Sequence, residues 1–324
     1  MKVVVTGGAG YIGSHTVQFL RRRGAAVHVL DNLSTGHRAA VDDAEFHELD
    51  LRRREAVAAT LAAIRPDAVI HFAAHCYVGE SVANPRKYFE DNLATALNVL
   101  GAMVDADCRR FIFSSTCATY GEPRQVPIPE DHPQNPVNPY GESKLFIERI
   151  MRRYHEAYGL RYAALRYFNA AGADPEGRLG ESHDPETHLI PLMIRAVLDP
   201  GFTLTVYGDD YPTPDGTCIR DYIHVTDLAD AHARALDRLT VTDDSLALNL
   251  GTGHGYSVLE MIRRLEIVSG RPVKRTIGPR RAGDPPVLIA AAGNAGALLD
   301  WRCAHSSLDE ILATAWRWHQ APRY

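Results

Sequence analysis

The chain has 324 residues, 45% of them hydrophobic and 23% charged, with a net charge of −5 at pH 7. That is the make-up of an ordinary soluble globular protein, long enough for two packed lobes. With 35 basic against 40 acidic residues and no long run of either sign, nucleic acid is not an expected partner, and no apolar stretch approaches the ~18–20 residues of a membrane span.

Met1-Lys2 runs directly into the β-branched segment Val3–Thr6, so no leader is expected and the first strand begins at once. A helix is predicted over Ile12–Arg23, and a second strand over Ala26–Leu30, ending at Asp31. Glu45–Leu49 reads as a third strand and Arg52–Ile64 as its helix, with Pro66 as the stop. Ala68–Phe72 and Arg110–Ser115 are apolar strands separated by a helical pattern around Lys87–Asp105, and Ala163–Tyr167 is another strand. Strands alternating with helices mean βαβ units, hence an α/β fold with a doubly wound Rossmann-type parallel sheet.

After about Ala171 the texture changes. Ala173–Thr187 and Tyr207–Thr217 are rich in turn formers, and shorter elements follow irregularly. Residues 1–170 are therefore assigned to a dinucleotide-binding domain and 171–324 to a smaller mixed α/β substrate lobe. The boundary is soft, because 222–250, with the strand-like Leu246–Leu250, could return to the main sheet. The cysteines, Cys76, Cys108, Cys117, Cys218 and Cys303, are scattered without CxxC spacing. Neither a disulfide framework nor a structural zinc site is expected, and a reducing cytoplasm is the simplest location. His71, His75 and Cys76 are close in sequence but lack a fourth ligand, so no metal is expected there. Trp301, Trp316 and Trp318 read as packing residues of the second lobe.

Between the first strand and the first helix lie Gly7, Gly10 and Gly13. In that context one glycine makes the tight turn, one lets backbone approach a pyrophosphate, and one lets helix pack on strand. The helix start then offers unpaired N–H groups and a positive dipole end to the phosphates. Asp31, at the end of the second strand, is placed to accept hydrogen bonds from ribose hydroxyls and to repel a 2′-phosphate, which favours NAD over NADP. Asp50 is placed either to reach the adenine edge or to cap the helix that follows.

Tyr140-Gly141-Glu142-Ser143-Lys144 opens a helix after Asn138-Pro139. Four-residue spacing puts Tyr140 and Lys144 on one face, about 40° apart. An ammonium beside a phenol favours the phenolate, so Tyr140 can serve as a base and Lys144 as its tuning group. Upstream, Ser114-Ser115-Thr116 end a strand, where open α/β sheets place their ligands. Cys117 follows without an obvious base and reads as an inert thiol.

These stretches, with HFAA (71–74), VGES (78–81), FSSTCATYGEP (113–123), RYFNAAGA (166–173), YGDDYPTPDGTCIRDYIHV (207–225) and PRRAGDP (279–285), resemble the extended short-chain dehydrogenase/reductase superfamily. Within it they resemble the UDP-glucose 4-epimerase family, over nearly the whole chain. The resemblance implies hydride transfer between C4 of a UDP-sugar and tightly bound NAD, with a 4-keto intermediate returned on its other face. It implies Tyr140, Lys144 and Thr116 as catalytic residues. Gly7, Gly10, Tyr11, Ile12, Gly13, Asp31, Asn32, Asp50, Leu51, Phe72, Ala73, Ala74, Asn92, Ser114 and Tyr167 would join Tyr140 and Lys144 around the cofactor. Asn169, His188, Leu189, Tyr207, Arg220, Arg281 and Asp284 would hold the nucleotide-sugar with Thr116 and Tyr140. The two arginines would meet the diphosphate, as a forked donor suits. The resemblance also implies a homodimer through helices matching Lys87–Asp105 and Tyr140–Tyr158, the latter carrying Leu145, Ile147, Ile150 and Met151.

Three positions depart from the pattern: Cys76, where many relatives have Lys; His188, where several have Asn; and Leu288, intermediate in bulk at a position that gates N-acetylated sugars. UDP-glucose and UDP-galactose are the expected pair. The xylose/arabinose and glucuronate/galacturonate pairs are alternatives, and Arg178 is the candidate partner for a uronate. A nucleotide-sugar 4,6-dehydratase is disfavoured because Cys117-Ala118, not two carboxylates, follow Thr116, and a non-catalytic NAD-binding scaffold because both Tyr140 and Lys144 are present.

Overall fold

The computed structural model describes residues 1–281 and 283–324; Ala282, within the PRRAGDP stretch, lies outside them. The first part of the chain runs β1 (Lys2–Thr6), α1 (Tyr11–Arg22), β2 (Ala26–Asp31), β3 (Glu45–Glu48), α2 (Arg54–Ile64) and β4 (Ala68–His71). Short helices α3 (Val78–Ala83) and α4 (Pro85–Lys87) follow, then α5 (Leu93–Asp105), β5 (Arg110–Thr116), α6 (Pro139–Tyr158) and β6 (Arg161–Tyr167). The remainder comprises β7 (Asn169–Ala171), α7 (Leu189–Leu198), β8 (Leu204–Tyr207), β9 (Ile219–Arg220), β10 (Tyr222–His224), α8 (Val225–Val241) and β11 (Leu246–Leu250). After these come β12 (Tyr256–Ser257), α9 (Val258–Ser269), β13 (Arg275–Gly278), β14 (Val287–Leu288), α10 (Gly293–Leu299) and α11 (Leu308–Gln320).

Seven strands form one sheet in the order β11-β6-β5-β4-β1-β2-β3, every neighbouring pair parallel. The order reverses between β1 and β4, the switch point where doubly wound sheets open a crevice at their C-terminal strand ends. The near-continuous apolar runs explain the parallel sheet, since its strands are covered on both faces. On one face Val3, Val5, Val29 and Ile70 pack with Leu228, Leu236 and Leu239 of α8. On the other, Val4, Val69 and Phe111 pack with Leu61 of α2, Leu100 of α5 and Ile147 of α6. A separate core joins α7, α9 and α11, with Ile194, Met261, Ile262 and Leu312 among its members.

Two boundaries differ from the periodic pattern. α2 starts at Arg54 rather than Arg52 because Asp50 turns the chain first, its Oδ1 accepting from the Arg52 N–H at 2.9 Å. The segment 87–105 is not one regular helix, because a π-helical turn at Tyr88–Asn92 interrupts it. Such a turn widens the helix by one residue and is common at functional sites; here it carries Asn92, which is buried. Among the described residues, no helix is long and apolar enough to cross a membrane.

Candidate active site

The turn after β1 admits only glycine at two points. Gly7 has a φ of +69°, and a Cβ there would lie 2.5 Å from the Ala73 backbone nitrogen. At Gly13 a Cβ would meet the Gly7 carbonyl oxygen at 2.2 Å. Close passage of the strand end, the turn and the first turn of α1 leaves a backbone-lined cradle, and no side chain caps the helix start at Gly10. Asp31 is buried at its edge, with Oδ2 accepting from Ala9 N–H and Oδ1 from Leu33 N–H, each at 2.9 Å. Burial raises its pKa against those two donors. A glycine cradle at an uncapped helix end, backed by a carboxylate, fits the pyrophosphate and ribose of NAD.

Other expected cofactor contacts divide into two groups. Ala73 passes beside Gly7, Phe72 packs against His232 with ring centres 4.7 Å apart, and Ser114 and Tyr167 share a 2.6 Å hydrogen bond at the ends of β5 and β6. Asn92 bridges elements: its Oδ1 accepts from His75 N–H at 2.8 Å, and its amide donates to the Ser143 Oγ at 3.1 Å. By contrast, the Tyr11 hydroxyl turns to the second lobe and donates to Gly172 O at 2.6 Å. Asp50 is held by Arg52 at 2.7 Å, Asn32 accepts from Ser34 N–H, and Leu51 is a core residue.

Helix α6 begins where Asn138 accepts from Gly141 N–H at 2.9 Å, with Pro139 at its first position. This start brings Tyr140 and Lys144 against the end of β5. Both are buried, as is Thr116. Lys144 Nζ donates to the Ser114 carbonyl at 2.9 Å and lies 4.8 Å from the centre of the Phe113 ring. Burial brings its pKa down to about 8. Burial also pushes the Tyr140 phenol well above its usual value; Tyr167 and Cys76 add to this, and Thr116 opposes it by hydrogen bonding. Lys144 gives a hydrogen bond to the Ser114 carbonyl rather than to the Tyr140 hydroxyl. Burial likewise pushes the Cys117 thiol up to about 12, which leaves it inert.

On the facing side, Asn169 of β7 donates to the Asp221 carbonyl at 2.8 Å. Arg220 and Asp284 form an ion pair, and the Arg281 guanidinium lies 4.1 Å over the Tyr207 ring. Leu288 pairs with Arg220 in the register of β14 and β9, and packs in the small cluster that includes Cys117. His188 stands at the start of α7, next to Leu189, with Glu181 and Glu186 as partners. Arg178 is held by Asp174 at 3.1 Å and Glu176 at 2.7 Å. His71, His75 and Cys76 do not converge: His71 bonds Thr6, His75 bonds Asp91, and Cys76 is exposed.

Two supporting groups escape sequence reasoning. Glu148 and Arg166 form a buried pair at 2.6 Å, and Glu148 also accepts from Ser115 Oγ at 2.6 Å. The pair thus fixes α6 to the two strands that end in the site. Asp221, fully buried, accepts from Thr252, Gly253 and Ala290, tying β14 to the loop after β11. Neither pairing has a local signature, although Arg166 and Asp221 lie within stretches noticed for other reasons.

The NAD dependent epimerase/dehydratase family matches residues 3–251. A UDP-glucose 4-epimerase of Lacticaseibacillus casei is 49% identical over 321 residues, covering 99% of this chain and 97% of that protein. The structure of UDP-glucose 4-epimerase from Brucella ovis in complex with NAD is 51% identical, with a TM-score of 0.95 and 97% of each chain covered. That from Bifidobacterium longum, in complex with NAD+ and UDP, is 38% identical with a TM-score of 0.94, covering 99% of this chain and 98% of that one. The chain belongs to the NAD-dependent epimerase/dehydratase family.

Proposed function

We infer that the protein is an NAD-dependent epimerase that inverts C4 of a UDP-sugar, interconverting UDP-glucose and UDP-galactose. The observation that carries this reading is the buried Tyr140–Lys144–Thr116 group at the end of β5, in the same crevice as the Gly7–Gly13 cradle and Asp31. Its full-length relatives are UDP-glucose 4-epimerases.

When bound, NAD would supply the acceptor and donor of the C4 hydride. Tyr140 takes the proton of the 4-hydroxyl and returns it to the 4-keto sugar. Thr116 holds the reacting oxygen through its hydroxyl. Lys144 would hold the nicotinamide ribose, and its ammonium would favour the phenolate. Asp31 receives the adenosine ribose, and Ser114, Asn92, Phe72, Ala73 and Tyr167 line the cofactor. Asn169, His188, Tyr207, Arg220 and Arg281 hold the nucleotide-sugar. Asp284 positions Arg220 through their ion pair.

The dehydratase reading lacks its carboxylates, since Cys117 and Ala118 follow Thr116. The uronate reading loses its anchor, since Arg178 is occupied by Asp174 and Glu176. Purified protein should carry NAD and convert UDP-galactose to UDP-glucose faster than UDP-xylose, UDP-glucuronate or UDP-N-acetylglucosamine. NAD-loaded protein inert toward UDP-galactose would overturn the assignment.

A cytoplasmic homodimer is part of the same reading, but not on the residues singled out from sequence. Ile147 and Met151 are consumed by the chain's own core, and Leu145 is also buried. Ile150 is partly buried against the same core, and the exposed large apolar side chains of the two helices are Leu97 of α5 and Phe146 and Tyr158 of α6. A sedimenting monomer at micromolar concentration would remove the dimer.

A further inference from the structure

The loop before α7 contains the pattern Glu181-x-His183-x-x-Glu186-x-His188, and the fold gathers all four side chains at one point. One donor atom from each lies within 4.8 Å of every other. His188 Nδ1 is 2.9 Å from Glu181 Oε1 and 3.0 Å from Glu186 Oε1. His183 Nδ1 is 3.3 Å from Glu181 Oε1 and 3.5 Å from Glu186 Oε2. A tetrahedral zinc ion with bonds of about 2.0–2.2 Å spaces its ligand atoms about 3.3–3.6 Å apart, close to this set.

Hydrogen bonding accounts for only part of the arrangement: Glu186 Oε1 accepts from the Thr187 and His188 N–H groups at 2.7 Å and 2.8 Å and pairs with His188 Nδ1 at 3.0 Å. His183 Nδ1 is shut off from solvent yet makes no aligned hydrogen bond, although two carboxylates face it. A buried ring nitrogen held 3.3 Å and 3.5 Å from two carboxylates without an aligned hydrogen bond is placed where a metal ligand would stand. The surroundings are packed. Trp318 of α11 donates to the Glu181 carbonyl at 2.9 Å, and the Tyr11 and Tyr77 rings meet His183 edge-on, with centres 6.4 Å and 6.0 Å away.

We propose that Glu181, His183, Glu186 and His188 form a closed four-ligand site for a divalent transition metal, zinc being the best match to two imidazoles and two carboxylates. The ion balances two carboxylates and joins the 181–186 loop to the start of α7, where side chains of the first lobe pack. Because His188 would bind through Nδ1, its Nε2 stays free for the nucleotide-sugar. That last consequence rests on the substrate reading above; the metal site itself does not.

The test uses tag-free, NAD-containing protein stripped with a chelator and titrated with zinc chloride by calorimetry at pH 7.5, with metal content read by mass spectrometry. One zinc per chain at submicromolar Kd is expected. Tm should rise by about 5 °C when free zinc stands about 100-fold above Kd. His183→Ala and Glu186→Gln should each weaken zinc binding by about 100-fold or more while NAD content stays at the wild-type level. No uptake by folded wild-type protein at 100-micromolar-order zinc (about 10⁻⁴ M, far above any structural-site Kd) would overturn the proposal. So would zinc binding left intact in whichever of the two variants folds. Neither readout uses epimerase activity, so a wrong substrate assignment would leave the result unchanged.

Discussion

Lys144 Nζ lies 5.9 Å from the centre of the Tyr140 ring and spends its hydrogen bond on the Ser114 carbonyl, 2.9 Å away. The four-residue spacing does put the two groups on one face of α6, but packing aims the ammonium at the strand end. This geometry leaves the lysine a through-space influence on the phenol, not a hydrogen bond to it. Replacing Lys144 by Met should therefore cut kcat and move the acidic limb of the pH–rate profile upward, since a phenol already raised by burial loses a cation 5.9 Å from its ring. A profile that stays in place would show that Lys144 only holds the cofactor.

Tyr140→Phe should leave the fold and NAD content intact, because the ring is retained and only the hydroxyl is lost. Its kcat should fall by about 10²–10⁴, the range for a general acid–base group. Steady-state assay beside absorbance of released NAD separates the two effects. A variant keeping a tenth of the wild-type rate would assign the proton transfer elsewhere.

At Asp31 the expected effect is on cofactor choice. Its two oxygens accept from the Ala9 and Leu33 N–H groups, so Asp31→Asn removes the charge and keeps one of these two bonds. Binding titrations should show NADP gaining on NAD by about tenfold or more, as repulsion of the 2′-phosphate disappears. An unchanged ratio would mean that the carboxylate serves only the turn.

The Glu148–Arg166 pair predicts a stability effect. Glu148→Ala strands a buried guanidinium, which costs about 3–5 kcal/mol when one partner of such a pair is removed. Chemical denaturation should show that loss. A change below about 1 kcal/mol would mean that solvent reaches Arg166 once the carboxylate is gone.

Four buried histidines set the acid limit of the fold. Burial lowers His71 and His224 to about 3, and His15 and His232 to about 4. Between these values and the ordinary 6.5 of the unfolded chain, the unfolded state binds more protons, so stability is present above pH 6.5 and declines as pH falls toward 4. At pH 5 each should cost about 1–2 kcal/mol relative to pH 7. His232→Phe should flatten part of that slope, measured as Tm against pH; a slope equal to wild type would remove His232 from the account.

Some of this protein was settled by the residues themselves. The glycine turn, Asp31 at the end of β2, the Asn138-Pro139 helix start and the Tyr140–Lys144 spacing are each written within about 25 residues of chain, as strand-turn-helix units are. Strand and helix periodicity fix where such groups point, so a parallel sheet with its crevice at the strand ends was legible from the order of elements. Other features were decided by tertiary structure alone. Glu148 meets Arg166 and Ser115, Asp221 meets Thr252 and Ala290, and Tyr11 reaches Gly172 across 161 positions of sequence. The direction of the Lys144 ammonium, the partners of Arg178 and the exposure of Leu97 and Phe146 belong with them. The reason is that side-chain charge and burial depend on which distant surfaces pack against a residue, and local periodicity carries no information about those surfaces.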